Sequence, residues 1–160
     1  MNLSSRNFDY QQLVSKLVVL NKKVTCAESC TGGLLSKILT DFDGSSSWFD
    51  RGFIVYSNQS KVDLLGVKKS TIDKFGAVSE QTVLEMASGA LNNSKADIGI
   101  AISGIAGPEG GTPEKPVGTV YIGWASSDFH DSDRKNFKGG RHLVRERSVE
   151  AALLGLYARL

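Results

Sequence analysis

Apolar residues recur along this chain with two different periods, which predict helices that alternate with strands. Apolar side chains spaced three and four residues apart predict helices over 8–20, 34–42 and 141–160, and a further helix that begins after Ser79. Shorter helices are predicted over 58–65, between a Ser57 cap and a stop at Gly66, and over 70–75. Apolar runs rich in β-forming residues predict strands over 24–27, 52–56, 97–103, 117–125 and 134–137.

This order of elements indicates the class of fold. Helices alternate with strands through most of the chain, and the last two strands are close enough in sequence to pair as a hairpin. We therefore expect an α/β fold with three layers, α/β/α, around a mixed central sheet. The 160 residues fit one domain, and no linker or internal repeat divides 1–160.

Composition excludes several classes of function. Nineteen basic and 17 acidic residues leave a net charge of +2, which is too small to indicate nucleic acid or an anionic membrane as a partner. No apolar segment is long enough to span a bilayer, and 1–6 lack the apolar stretch of a signal peptide. Cys26 and Cys30 have no histidine near them in sequence, so we predict a cytoplasmic protein with reduced thiols and no metal.

Hydroxyl groups and glycines follow the first predicted strand, in the segment Ala-Glu-Ser-Cys-Thr-Gly-Gly at 27–33. A helix is predicted directly afterwards, and the first amides of a helix are unpaired donors at the positive end of its dipole. Ser29 could therefore act as a nucleophile, or the segment could supply a binding hydroxyl, beside an anion site at the two glycines Gly32 and Gly33. An ordinary capped turn is the alternative.

Two other predicted strand ends carry similar residues. Tyr56-Ser57-Asn58 and Lys61 follow the second strand, and Ser103-Gly104-Ile105-Ala106-Gly107-Pro108 follows the third. The carboxyl ends of strands are where α/β sheets bind ligands, so the three segments together predict one site. The loop over 104–116 is rich in Gly and Pro, and a loop of this length is more often functional than a simple connection.

No standard catalytic or nucleotide-binding fingerprint is present, so the candidate residues depend on their chemistry. His130 and His142 read as surface residues, which leaves a serine–histidine–aspartate triad poorly supported. Lys61 is the best candidate base for Ser29, because burial lowers the pKa of a lysine, although a solvated lysine is the alternative. Cys30 is a second candidate nucleophile.

Tyr56 and Arg141 each have two interpretations. Tyr56 could pack in the core or donate a hydrogen bond to the site. The guanidinium of Arg141 could bind a phosphate, or could face solvent at the start of the last helix.

Taken together, these motifs resemble the C-terminal domain of the CinA (competence/damage-inducible) family, from about Phe8 to the end of the chain. The resemblance is carried by the segments above with Gly44-Ser45-Ser46, Leu65-Gly66-Val67, Gly76-Ala77-Val78-Ser79-Glu80 and Lys115-Pro116-Val117-Gly118-Thr119-Val120. It implies a bacterial cytosolic amidohydrolase that converts nicotinamide mononucleotide to nicotinate mononucleotide and ammonia, in pyridine nucleotide recycling for NAD synthesis. It also implies a three-layer fold, a homodimer or larger homo-oligomer, and no cofactor.

The resemblance also implies a role for each candidate. Ser29 would be the nucleophile and Lys61 its base, with Tyr56 as a proton relay or an orienting donor. Tyr56 is also the alternative candidate for the base. Contacts to substrate or oxyanion would come from Glu28, Thr31, Gly32, Gly33, Ser103, Gly104, Gly107 and Arg141. Relatives often have Gly-Asp-Arg where this chain has Gly139-Gly140-Arg141, so an Asp–Arg pair is absent here.

The alternative from another class is a non-catalytic accessory protein of competence or DNA repair that binds a nucleotide or a protein. A binding protein could use the glycine-rich loops without a nucleophile and its base. A close Ser29–Lys61 pair therefore distinguishes the enzyme from the accessory protein.

Overall fold

The structure is a computed structural model that describes residues 9–160. Its helices are α1 (Tyr10–Val19), α2 (Leu34–Leu39), α3 (Asn58–Leu65), α4 (Lys69–Phe75), α5 (Glu80–Asn92) and α6 (Arg141–Arg159). Its strands are β1 (Val24–Glu28), β2 (Phe49–Ile54), β3 (Ile98–Gly104), β4 (Thr119–Ala125) and β5 (His130–Asn136). The predictions made for 1–8 concern residues outside this range.

The five strands form one sheet in the order β2-β1-β3-β4-β5. β1 pairs in parallel with both β2 and β3, while β4 is antiparallel to β3 and to β5. The mixed sheet is therefore confirmed. The parallel pairing also places the carboxyl ends of β1, β2 and β3 at the same edge, directly beside one another.

Two apolar cores cover the two faces of the sheet. One core joins the sheet to α1, α2 and α6 through large side chains such as Leu13, Leu35 and Leu153. The other joins it to α3, α4 and α5 and is built largely from smaller residues, including Ala27, Ala87 and Ala101. This arrangement confirms the three-layer α/β/α fold.

Small residues in β3 allow α5 to approach closely, as the glycine and alanine positions of this strand predict. A Cβ atom added at Gly99 would lie 2.3 Å from the carbonyl oxygen of Ala87 in α5. No side chain fits at that separation, so α5 lies against the sheet at a distance that only glycine permits here.

Three elements have a boundary that lies three or more residues from the predicted one. β2 begins at Phe49, which pairs with Val24 of β1, and ends at Ile54. The carbonyl oxygens of Val55 and Tyr56 then accept from Lys61 in α3. α2 ends at Leu39, where the hydroxyl of Thr40 donates to the carbonyl oxygens of Ser36 and Lys37. β5 begins at His130, since it is a charged edge strand whose register comes from β4 rather than from alternating apolar residues.

None of the helices within 9–160 has both the length and the apolar character needed to cross a lipid bilayer.

Candidate active site

A cavity of about 210 Å³ opens where the ends of β1, β2 and β3 meet. Each of the three strand-end segments singled out in the sequence contributes to its wall. The lining residues are Ser29, Cys30, Tyr56, Asn58, Lys61, Ala77, Val78, Ser103, Gly104, Ala106 and Arg141.

The floor of this cavity holds a serine and a lysine in direct contact. The ammonium nitrogen Nζ of Lys61 lies 3.0 Å from the hydroxyl oxygen Oγ of Ser29. It also donates to the carbonyl oxygens of Val55, at 2.9 Å, and Tyr56, at 3.3 Å. Only 1% of Lys61 and 8% of Ser29 is exposed to solvent. The lysine is therefore held by the protein rather than solvated.

Burial changes the protonation of this lysine. Desolvation disfavours the charged ammonium and lowers the pKa of Lys61 from its usual 10.5 to about 8. A neutral amine has two N–H groups and one lone pair. The charged ammonium donates to Ser29 Oγ and to the two carbonyl oxygens. After loss of one proton the amine keeps the two carbonyl bonds, and its lone pair can accept the hydroxyl proton of Ser29.

Local backbone structure fixes both partners. The amide of Ser29 donates to the carbonyl oxygen of Ile102 in β3 at 3.0 Å, which holds the residue just beyond the end of β1. Lys61 lies in the first turns of α3, whose N-cap Ser57 accepts a hydrogen bond from the amide of Ser60 at 3.0 Å. Gly66, in the left-handed conformation, ends that helix as predicted.

Glu28 requires a correction, because it does not face the cavity. Its side chain is fully buried and its carboxylate accepts hydrogen bonds from three amides, those of Gly33 at 3.1 Å, Leu35 at 3.0 Å and Ser36 at 2.8 Å. The hydroxyl of Ser36 adds a fourth bond at 2.8 Å. Glu28 therefore ties the turn that carries Ser29 to the start of α2, and it has no acceptor left for a substrate.

Replacing Glu28 with glutamine is expected to lower the free energy of unfolding by about 2–3 kcal/mol, since an amide NH₂ would then face buried N–H donors. Urea unfolding of Glu28→Gln and wild type measures this difference. Glu109→Ala, at an exposed position in the 104–116 loop, is the matched control and should change stability by less than about 0.5 kcal/mol. Equal loss in both variants would contradict the anchoring role of Glu28.

The predicted anion cradle at Gly32 and Gly33 also needs correction. The amide of Gly32 donates to the carbonyl oxygen of Ser29, and that of Gly33 donates to Glu28, so neither is available to a ligand. Within 9–160, the amides of this turn that make no bond to another residue are those of Cys30 and Thr31. The hydroxyl of Thr31 is fully buried and has no partner in the same range, and Thr31 does not line the cavity.

Tyr56 and Arg141 lie together at the rim of the cavity. Tyr56 is 59% exposed to solvent. Its phenol oxygen accepts a hydrogen bond from Nη2 of Arg141 at 3.0 Å. Nη1 of Arg141 donates to the carbonyl oxygen of Gly107 at 3.1 Å. It is the main-chain carbonyl of Tyr56, not its phenol, that contacts Lys61.

The remaining predicted residues take up structural positions around the cavity. Ser103 lines it, but its hydroxyl donates to the carbonyl oxygen of Ala77 at 2.8 Å. Gly104 leaves no room for a side chain, since an added Cβ would lie 2.7 Å from a methyl carbon of Val120. Burial raises the pKa of the Cys30 thiol to about 11, which disfavours Cys30 as the nucleophile.

Several residues at the site have no individual role predicted from the sequence. Arg145 donates to the carbonyl oxygens of Cys30, at 3.0 Å, and Thr31, at 2.9 Å, and so places a positive charge beside the turn. Its signal in the sequence is the dense run of basic residues at Arg141, Arg145 and Arg147. Asn58, Ala77, Val78 and Ala106 also line the cavity.

No cluster of three or more metal-binding side chains occurs in the described part of the chain.

Fold and site together define an α/β domain with a serine and a buried lysine at the carboxyl ends of its parallel strands. The sequence matches the CinA C-terminal domain over residues 8–160, and the chain belongs to this family.

Named relatives share most of this chain. It is 54% identical over 138 residues to the nicotinamide-nucleotide amidohydrolase PncC of Enterobacter agglomerans, which covers 86% of this chain and 82% of that protein. It is 47% identical over 148 residues to the protein of the same name from Escherichia coli K12, with coverage of 92% and 90%. The crystal structure of the competence/damage inducible protein CihA from Agrobacterium tumefaciens superposes with a TM-score of 0.87 at 42% identity, and covers 98% of each chain.

Proposed function

We propose that this chain hydrolyses the carboxamide of nicotinamide mononucleotide, giving nicotinate mononucleotide and ammonia, with Ser29 as the nucleophile. The observation that carries the proposal is the 3.0 Å contact between Lys61 Nζ and Ser29 Oγ in a buried cavity. The reaction is the one that the names of the relatives describe. A protein that only binds a nucleotide has no need of a desolvated amine against a serine hydroxyl, which favours the enzyme over the accessory protein.

The first half of the reaction forms an acyl-enzyme. Neutral Lys61 takes the hydroxyl proton of Ser29 as Oγ attacks the carboxamide carbon, and the carbonyl π electrons move to the oxygen. When the tetrahedral intermediate collapses, the C–N bond breaks and the Lys61 ammonium returns the proton to the leaving nitrogen, which departs as ammonia.

The second half restores the enzyme. A water molecule gives a proton to neutral Lys61 and attacks the acyl carbon. The bond from Oγ to the carbon then breaks as the C=O bond re-forms, and Ser29 regains its proton from Lys61. The nucleotide leaves as the carboxylic acid, which releases its proton to solvent and becomes the carboxylate. Each proton taken by Lys61 is returned within the same half-reaction.

Charge around the cavity supports binding of an anionic nucleotide. In this proposal the amide of Cys30 receives the oxyanion, because Cys30 lines the cavity and its N–H makes no bond to another described residue. Arg141 at the rim uses two guanidinium nitrogens within the protein, and its other N–H groups are free to receive the phosphate. In this proposal the enzyme works in the cytoplasm as a homodimer or larger homo-oligomer and recycles pyridine nucleotides.

Turnover should depend on pH through Lys61. The neutral amine is the active form, so kcat/KM is expected to rise about tenfold per pH unit below pH 8 and to level off above it. A pH profile from 6 to 10 with the same substrate measures this. A profile that falls as the pH rises through 8 would contradict the role of Lys61 as a base.

Product analysis tests the proposed reaction. Purified protein incubated with nicotinamide mononucleotide should give one ammonia for each nicotinate mononucleotide, with no release of free nicotinamide. Binding of the nucleotide without either product would support the accessory-protein alternative instead.

A further inference from the structure

Asn58 is a polar residue of the cavity that the proposed reaction leaves without a task. It lines the cavity, and its side chain makes no hydrogen bond to any residue within 9–160. The other lining side chains that carry nitrogen or oxygen are all bonded to protein atoms: Ser29, Lys61, Ser103, Tyr56 and Arg141. The carboxamide of Asn58 therefore has both its donor and its acceptor available to a bound molecule.

The position of Asn58 in α3 places it near the reacting groups. It is the first residue of the helix, and Lys61 follows three residues later on the same face, a spacing that makes side chains neighbours. Asn58 is exposed and lines the same cavity as Ser29 and Lys61, so a molecule that enters the cavity and contacts Ser29 is within reach of Asn58. The Ser57 cap fixes the start of the helix and therefore the position of Asn58.

We propose that Asn58 distinguishes the carboxamide of the substrate from the carboxylate of the product. This inference rests on the proposed function. The side-chain oxygen Oδ1 of Asn58 accepts an N–H of the substrate amide, while its Nδ2 donates to an oxygen of the ligand. The product has no N–H there, so a negatively charged oxygen faces Oδ1 and the product is bound less tightly.

Binding measured in a Ser29→Ala background tests this inference without turnover. Calorimetry gives the Kd of nicotinamide mononucleotide and of nicotinate mononucleotide for Ser29→Ala alone and with Asn58→Ala or Asn58→Asp. The ratio of the two Kd values cancels any effect of the added charge on the phosphate that both nucleotides carry. Gln59→Ala is the matched control, because Gln59 is the next residue of the helix and bonds to Asp63 outside the cavity.

The two substitutions are expected to move the ratio in opposite directions. Preference for the amide should fall about five- to tenfold in Asn58→Ala, which loses the contact. It should rise at least roughly tenfold in Asn58→Asp, whose carboxylate still accepts from the amide but repels the product carboxylate. Gln59→Ala should leave the ratio unchanged.

A ratio that stays within about twofold in both Asn58 variants, or that moves the same way in both, overturns the inference. If the wild-type chain releases ammonia from the mononucleotide while the ratio does not move, only the role of Asn58 is wrong. If the wild-type chain releases none, the proposed function is wrong and the role of Asn58 is rejected with it.

Discussion

Ser29→Ala should lower kcat for ammonia release from nicotinamide mononucleotide by roughly a thousandfold or more, because the acyl-enzyme can no longer form. The loss should be in kcat, with little change in substrate affinity, since Ser29 Oγ acts on the carboxamide carbon and the phosphate contacts lie elsewhere. Steady-state ammonia release and calorimetric binding of the substrate together measure this.

The fold should survive this change. Ser29 loses one side-chain bond, that with Lys61, while its amide still bonds to Ile102. Ser127→Ala, at an exposed position in the turn between β4 and β5, is the matched control and should keep full activity. If Ser29→Ala retained more than about a tenth of wild-type kcat with an unchanged melting temperature, Ser29 would not be the nucleophile.

Lys61→Met is expected to reduce kcat/KM by about a thousandfold, because methionine fills the space of the lysine stem but has no proton acceptor for Ser29. The rise in activity between pH 6 and pH 8 should also disappear, because Lys61 is the group whose titration causes it. If Lys61 had only a structural role, the remaining activity would still rise over this range. Activity of Lys61→Met measured from pH 6 to 10 tests both effects.

The matched control for this variant is Lys69→Met. Lys69 lies in α4, 78% of its side chain is exposed, and it pairs with Asp73 on the surface, so its loss should change kcat/KM by less than twofold. Lys61→Arg should be as inactive as Lys61→Met, since an arginine stays protonated throughout this pH range. Substantial activity in Lys61→Arg would mean that the residue supplies charge rather than a base.

The sequence was sufficient to predict the path of the chain through the site. Ser57 as a cap, Gly66 as a stop and the apolar run of β1 are local signals, and each element formed where these signals placed it. They were enough to predict that Ser29 and Lys61 follow the first and second strands of the chain. Their 3.0 Å contact depends on the pairing of β1 with β2 and β3, which no local pattern specifies.

Hydrogen-bond partners could not be read from the sequence. Glu28 precedes Ser29 in the motif, yet the alternation of side chains along β1 turns its carboxylate away from the cavity. There it accepts hydrogen bonds from amides at the start of α2. The same bonds occupy Gly33, a predicted anion donor. The predicted start of β5, residue 134, is four residues after its start in the structure. Its register is set by pairing with β4, and its own residues have no apolar period that marks where the strand begins.

Ammonia release from nicotinamide mononucleotide at pH 9, measured side by side for the wild-type chain and Ser29→Ala, is the decisive experiment. We predict steady turnover by the wild-type chain and none above background by Ser29→Ala, with both proteins folded and both binding the nucleotide. Equal rates in the two proteins, or no ammonia from the wild-type chain at high enzyme concentration, would contradict a serine amidohydrolase at this site.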